Sequence, residues 1–79
     1  MFFYTYVLKS LVDEKLYIGW TKDLTERIKQ HNFGEVEVTK SRRPLELVYF
    51  EASSNESKAI EREKYFKTGF GRRSLKNRI

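Results

Sequence analysis

The first twenty residues constrain the fold most. Phe3 to Ser10 is short, aromatic and β-branched, Asp13-Glu14-Lys15 is a polar turn, and Leu16-Tyr17-Ile18-Gly19-Trp20 runs back. Two such segments around a polar turn read as a β-hairpin. A hairpin alone is barely stable in water and needs another strand or a helix against its apolar face. The remaining sequence offers both. Thr21 and Asp23 are candidate N-caps, and Glu26 follows Asp23 by three residues, a helix-start signal. That helix is predicted to reach Asn32 and to be closed by Gly34. Glu35 to Arg43 has no clean period and reads as a basic loop, after which Pro44 introduces Leu45 to Glu51 as a third strand. Ser53 and Glu56 have capping-box spacing for a second long helix predicted to stop at Gly69. The tail beyond Gly71 reads as a basic helix with Leu75 and Ile79 on one face. The order β-β-α-β-α-(α) predicts an α/β (α+β) fold, a three-stranded, mainly antiparallel sheet flanked by helices.

Seventy-nine residues are predicted to form a single domain, residues 1–79, with one core. The chain has no cysteine, so neither disulfides nor a cysteine-held zinc can staple it. Eleven of its apolar residues are Phe or Tyr, side chains that supply much buried area each. Sixteen Lys plus Arg against eleven Asp plus Glu give a net charge of +5. Such a balance suits a polyanionic partner as well as a merely soluble surface. The N-terminus, Met1-Phe2-Phe3-Tyr4-Thr5-Tyr6, resembles neither a signal peptide nor a membrane anchor, and the expected compartment is the cytoplasm.

Several residues are misplaced for structure alone. At about 100° per residue, Ala59, Ile60, Glu63, Phe66 and Lys67 share one arc of the second long helix, which puts Glu63 inside the stripe that should pack on the sheet. A carboxylate there needs a partner: an Arg in an internal salt bridge, a hydrogen-bond cluster, or a hard cation that prefers oxygen donors. In the first helix Leu24 and Ile28 face the core, while Arg27 and His31 share the neighbouring flank. That pair reads either as a phosphate clamp or as a solvated flank. Tyr4 and Tyr6 lie on one face of their strand with Thr5 on the other. Gly19 lies inside a strand, where glycine often marks a close approach.

Together these residues resemble the GIY-YIG nuclease superfamily, in its small single-domain bacterial branch. Tyr17-Ile18-Gly19 is the second half of the signature, and Tyr4-Thr5-Tyr6 stands at the first half with Tyr6 at the tyrosine position. Arg27, ten residues after Tyr17, and His31, one turn later, fit the family pattern. Asn32-Phe33-Gly34, Thr39 and Arg42-Arg43-Pro44 resemble that branch, as does the helix carrying Glu63 with Lys67 four residues on. Tyr4-Thr5 in place of Gly-Ile is the one visible departure. The superfamily includes homing endonucleases, restriction enzymes and the incision subunit of bacterial excision repair, which carry additional DNA-binding domains.

The resemblance implies one-metal endonucleolytic hydrolysis of DNA with Tyr6, Tyr17, Arg27, His31 and Glu63 as the catalytic set. Glu63 would hold Mg²⁺ or Mn²⁺, Arg27 would neutralise phosphate charge, and Tyr6 or Tyr17 would take the proton from water, its phenolate favoured by the nearby Arg and metal. His31 would hydrogen-bond the tyrosine or the phosphate. Lys40, Arg42, Arg43, Lys67, Arg72, Arg73 and Lys76 would line the path of branched or duplex DNA with weak sequence preference. The resemblance further implies that Glu63 faces Tyr6, Tyr17 and Arg27 across one concave face of the sheet. The alternative is a catalytically weak nucleic-acid-binding module of the same fold.

Overall fold

In the computed structural model, which describes residues 1–79, strand β1 (Phe3–Ser10) lies between β2 (Leu16–Thr21) and β3 (Leu45–Ser53). Both pairings are antiparallel. Three helices complete the fold: α1 (Leu24–Asn32), α2 (Glu56–Phe66) and α3 (Gly69–Lys76). A central strand covered on both faces cannot show a simple alternation of burial, and Thr5, Tyr6, Val7 and Leu8 are buried in succession.

The alternation of β1 assigns the layers. Tyr6 and Leu8 pack with Leu45, Tyr17, Leu47 and, from α1, Leu24 and Ile28. Val7 points the other way and packs with Ile18, with Phe66 of α2 and with Leu75 of α3. Thr5, on that second face, donates its hydroxyl to the Ala59 carbonyl at 2.8 Å and fixes α2 against the sheet. The sheet therefore separates α1 from α2 and α3.

The hairpin, the third strand and α1 lie where the sequence places them. Asp23 caps α1 by accepting from the Glu26 amide at 3.1 Å, and Gly34 beyond its end has φ 78°. Other boundaries are corrected. Ser53 ends β3, and Asn55 caps α2 instead, accepting from the amides of Ser57 and Lys58. Asn competes well for that position and lies one residue before the helix. Gly69 does not end α2, which stops at Phe66. It opens α3, capped by the Thr68 hydroxyl accepting from the Gly71 amide. The close packing of these helices depends on Gly71, where a β-carbon would lie 1.9 Å from the Tyr65 carbonyl oxygen. Leu75 is buried but Ile79 is exposed, so they do not share a packed face. The basic loop contains a turn of 3₁₀ helix, Lys40–Arg42.

The internal ion pair of this fold involves Arg62, not Glu63. Arg62 donates from Nε and Nη2 to both carboxylate oxygens of Glu51 at 2.8 Å, and its guanidinium lies over the Phe66 ring. Helical spacing places Arg62 off the apolar arc, but its long side chain reaches back to β3 across that arc.

Candidate active site

Tyr6 of β1, Tyr17 of β2 and His31 of α1 form one aromatic cluster. The His31 ring centroid is 5.0 Å from that of Tyr17 and 5.7 Å from that of Tyr6, both edge-on. Local structure dictates the meeting. Asp23 starts α1 so that Leu24 and Ile28 enter the core, and the adjacent i,i+4 flank carries Arg27 and His31 over the ends of both tyrosines. Tyr6 is registered opposite Gly19, and its ring fills the space that a β-carbon at Gly19 would occupy, 2.5 Å from the hydroxyl oxygen. Only glycine there lets the ring extend from the central strand over the outer one.

His31 is fully buried, so the solvated-flank reading of its position is corrected. Its Nε2 lies 2.9 Å from the Tyr6 hydroxyl and its Nδ1 lies 2.7 Å from Thr39 Oγ1. Burial, reinforced by the Arg27 charge, pushes the imidazole pKa down to about 4, so the ring is neutral at physiological pH. The Tyr6 hydroxyl is raised above its ordinary value, mainly by burial. The nearby Arg27 guanidinium lowers it in part, while the Tyr17 and Glu63 charges add to the rise. Arg27 acts on Tyr6 in the expected direction, but desolvation outweighs the cation and the net shift is upward. Arg27 is held by Gln30, whose amide oxygen accepts from Nη1 at 3.0 Å.

Glu63 reaches this group from the opposite layer. The expected single concave face is corrected, because α2 packs on the Thr5 and Val7 side of β1 and α1 on the Tyr6 side. The Tyr6 ring extends over the outer strand at Gly19, and its hydroxyl senses the Glu63 charge from the other layer. The Glu63 side chain is 20% exposed, and Lys67 Nζ lies 3.8 Å from its carboxylate as an i,i+4 pair. No group of three His, Cys, Asp or Glu side chains converges there or elsewhere. One carboxylate open to water suits a hard cation that keeps most of its own waters, rather than a fully protein-ligated ion.

The basic residues are distributed over several places. Arg42, Arg72 and Lys76 line an open cleft of about 550 Å³ with Lys15, Leu16 and Ile18, at the hairpin end of β2. Lys40 and Arg43 line a separate one of about 670 Å³ beside Asn32 and Pro44. Arg42 also pairs with Asp13 at 3.2 Å, and its Nη2 is screened from solvent without a hydrogen-bond partner. Lys67 adjoins Glu63, and Arg73 lies over the exposed Phe70 ring. Thr39 and Gln30 are the site neighbours that sequence reasoning did not assign. Gln30, one turn from Arg27, has a signal in helical spacing; Thr39, in a loop with no period, is marked only by the family resemblance, which does not give its contact with His31.

Comparison with known proteins gives the family of the chain. Residues 2–77 match the model of the GIY-YIG catalytic domain. The chain is 49% identical over 65 residues to the UPF0213 protein CPE1444 of Clostridium perfringens, covering 81% of this chain and 69% of that protein. It is 44% identical over 63 residues to the UPF0213 protein YazA of Bacillus subtilis, covering 78% and 63%. Its structure resembles the solution NMR structure of the UPF0213 protein BH0048 from Bacillus halodurans. The TM-score is 0.61 at 30% identity, over 98% of this chain and 84% of that one. With the family model spanning nearly the whole chain, and with UPF0213 relatives close in sequence and in fold, this protein belongs to the GIY-YIG family of nuclease domains.

Proposed function

We propose that this chain is a divalent-metal-dependent endonuclease that hydrolyses phosphodiester bonds in DNA, with Tyr6 as the group that takes the proton from the attacking water. The observation that carries this reading is the Tyr6 hydroxyl itself. It is joined to a neutral, buried His31 and lies in the field of both Arg27 and Glu63. A phenol whose pKa is raised is a poor base alone, but His31 Nε2 gives its proton a destination 2.9 Å away. As water adds to phosphorus, its proton passes to the Tyr6 oxygen and the original phenolic proton passes to Nε2. Tyr6 stays neutral throughout, and His31 carries the positive charge until the proton returns by way of the Tyr6 hydroxyl, because the ring itself does not reach solvent. Tyr17 has no such acceptor and packs against His31 as a wall of the site.

Arg27, anchored by Gln30, is placed to neutralise charge growing on the non-bridging phosphate oxygens. Glu63 is the residue that would hold Mg²⁺ or Mn²⁺, which when bound would polarise the phosphate and stabilise the departing oxygen. Lys67 beside it, the Arg42, Arg72 and Lys76 cleft at the hairpin end of β2, and the Lys40 and Arg43 cleft at the start of β3 supply cationic contacts for the backbone. The deciding experiment incubates the protein with duplex, branched, flapped and single-stranded DNA in Mg²⁺, Mn²⁺ or EDTA. Internal cleavage of at least one form, abolished by EDTA, is expected. Absence of cleavage with both ions on all four forms removes the enzymatic reading.

A further inference from the structure

Of all the buried polar side chains, Thr39 is the one whose hydroxyl faces the site without serving the backbone fold in the usual way. It stands at the N-cap of the Lys40–Arg42 turn, yet its side chain makes no capping hydrogen bond. Instead Oγ1 lies 2.7 Å from His31 Nδ1 and donates to the Val36 carbonyl at 3.4 Å. The residue is fully buried, and its own amide also donates to Val36, at 3.1 Å, which closes the turn and fixes the hydroxyl beside the imidazole.

We propose that Thr39 is a positioning residue that sets the tautomer of His31, holding the proton on Nδ1 so that Nε2 presents a lone pair to Tyr6. The inner end of the chain of hydrogen bonds decides its direction. At the inner end the Val36 carbonyl can only accept, so the one hydroxyl proton of Thr39 is directed to it. Oγ1 must then accept from His31, which requires Nδ1–H and leaves Nε2 bare. At the outer end the Tyr6 hydroxyl can either donate or accept, so the choice is made at the Thr39 end and Tyr6 then sends its proton to Nε2. The order that follows is Tyr6 to His31, His31 to Thr39, Thr39 to Val36. A neutral imidazole has one ring proton, so without Thr39 nothing here would hold that proton on Nδ1. The opposite tautomer would donate to the Tyr6 oxygen and block the acceptor that Tyr6 needs.

This inference rests on the proposed role of Tyr6, but its primary readout does not require cleavage. Long-range ¹H–¹⁵N spectra of the single histidine at neutral pH distinguish the two tautomers in the intact chain. Wild type is expected to show Nδ1 protonated and Nε2 unprotonated, and Thr39→Ser, which keeps the hydroxyl, is expected to match it. Thr39→Val, nearly identical in shape, is expected to move the proton to Nε2. With the change, kcat should fall on the order of 100-fold at unaltered KM, and Thr39→Ser should restore most of it. An Nε2–H signal in wild type overturns the proposal before any variant is made. Retention of Nδ1–H in Thr39→Val overturns it as well. A tautomer switch with unchanged kcat would support Thr39 as the tautomer-setting residue and reject Tyr6 as the proton acceptor, so the two failures are separable.

Discussion

Gly19 and Tyr6 occupy one another's space: a β-carbon on the glycine would lie 2.5 Å from the tyrosine hydroxyl oxygen and 2.6 Å from the ring carbon that bears it. The blocking atoms belong to a ring that His31 and Tyr17 hold in place, so it cannot swing aside freely. Gly19→Ala is therefore expected to cost about 1–3 kcal/mol of stability through overpacking. It should also lower the cleavage rate roughly 100-fold by displacing the hydroxyl. Urea unfolding and a single-turnover cleavage assay check both numbers. A variant with native stability and rate would mean that the position of the Tyr6 ring is immaterial.

Glu63→Gln removes a charge whose only ion-pair partner is the half-exposed Lys67. Such i,i+4 pairs contribute about 0.3–0.5 kcal/mol, so the melting temperature should barely move. Metal-dependent cleavage should disappear while DNA binding is retained or improved. A fully active Glu63→Gln protein that still requires the metal would remove Glu63 from the site.

Arg62→Ala should do the reverse. It leaves the Glu51 carboxylate, which also accepts from Tyr49 at 2.7 Å, without its bidentate partner, and it uncovers Phe66. The pair is about one third exposed, so the expected loss is roughly 2 kcal/mol, below that of a fully buried pair. Cleavage well below the melting temperature should be retained, which a denaturant titration and an activity assay on one sample would test.

The low pKa of His31 gives stability a definite pH dependence. In the unfolded chain the ring titrates near its ordinary 6.5, and in the folded protein near 4. Between those values the unfolded state binds the extra proton, so stability is complete above about pH 6.5 and falls as pH drops through the window. The limiting loss is on the order of 3 kcal/mol. Glu51, held below its ordinary 4.5 chiefly by the hydrogen bond from Arg62, loses its own contribution only below that pH. Urea midpoints between pH 6.5 and 4.5 should therefore slope in wild type and flatten in His31→Gln. A flat wild-type profile would contradict the buried neutral ring.

The cleft at the hairpin is tested by Arg72→Ala with Lys76→Ala, two exposed residues that no ion pair engages. If each contacts a phosphate, the salt slope of duplex binding should flatten by about 2. Binding to all sequences should weaken alike, with kcat at saturation unchanged. Arg42 is a less clean probe, because it also pairs with Asp13. An unaltered slope would place the DNA elsewhere.

Much of this fold is written locally. The aromatic and β-branched runs of β1 and β2, the Asp23 cap and the Pro44 strand entry each act within a few residues of themselves. The residues of the candidate site were legible as a set because Tyr6, Tyr17, Arg27 and His31 repeat the spacing of a known family. Their surroundings were not. That His31 is buried, and that Tyr6 is a raised phenol, depend on which layer covers which face of β1. The sheet order decides this, and helical periodicity does not. Thr39 reaches His31 through a loop without period, and Arg62 reaches Glu51 along a flexible side chain. Both contacts exist only once the chain is closed.

The two halves of the candidate site hang from opposite faces of the sheet, with the Tyr6 ring reaching over β2 at the sheet's edge, and neither cleft of the molecule contains Tyr6 or Glu63. A reaction centre on a rim has no floor and no dead end. A long polymer can be laid across it sideways, at any point along its length, without threading a terminus. The same architecture makes the centre sensitive to events far smaller than unfolding. If α2 lifts from the sheet while the α1 face stays intact, Glu63 departs and the other four groups remain in register. Catalytic competence would then fade on heating before spectroscopic melting of the strands, with the helix that carries one carboxylate as its fuse.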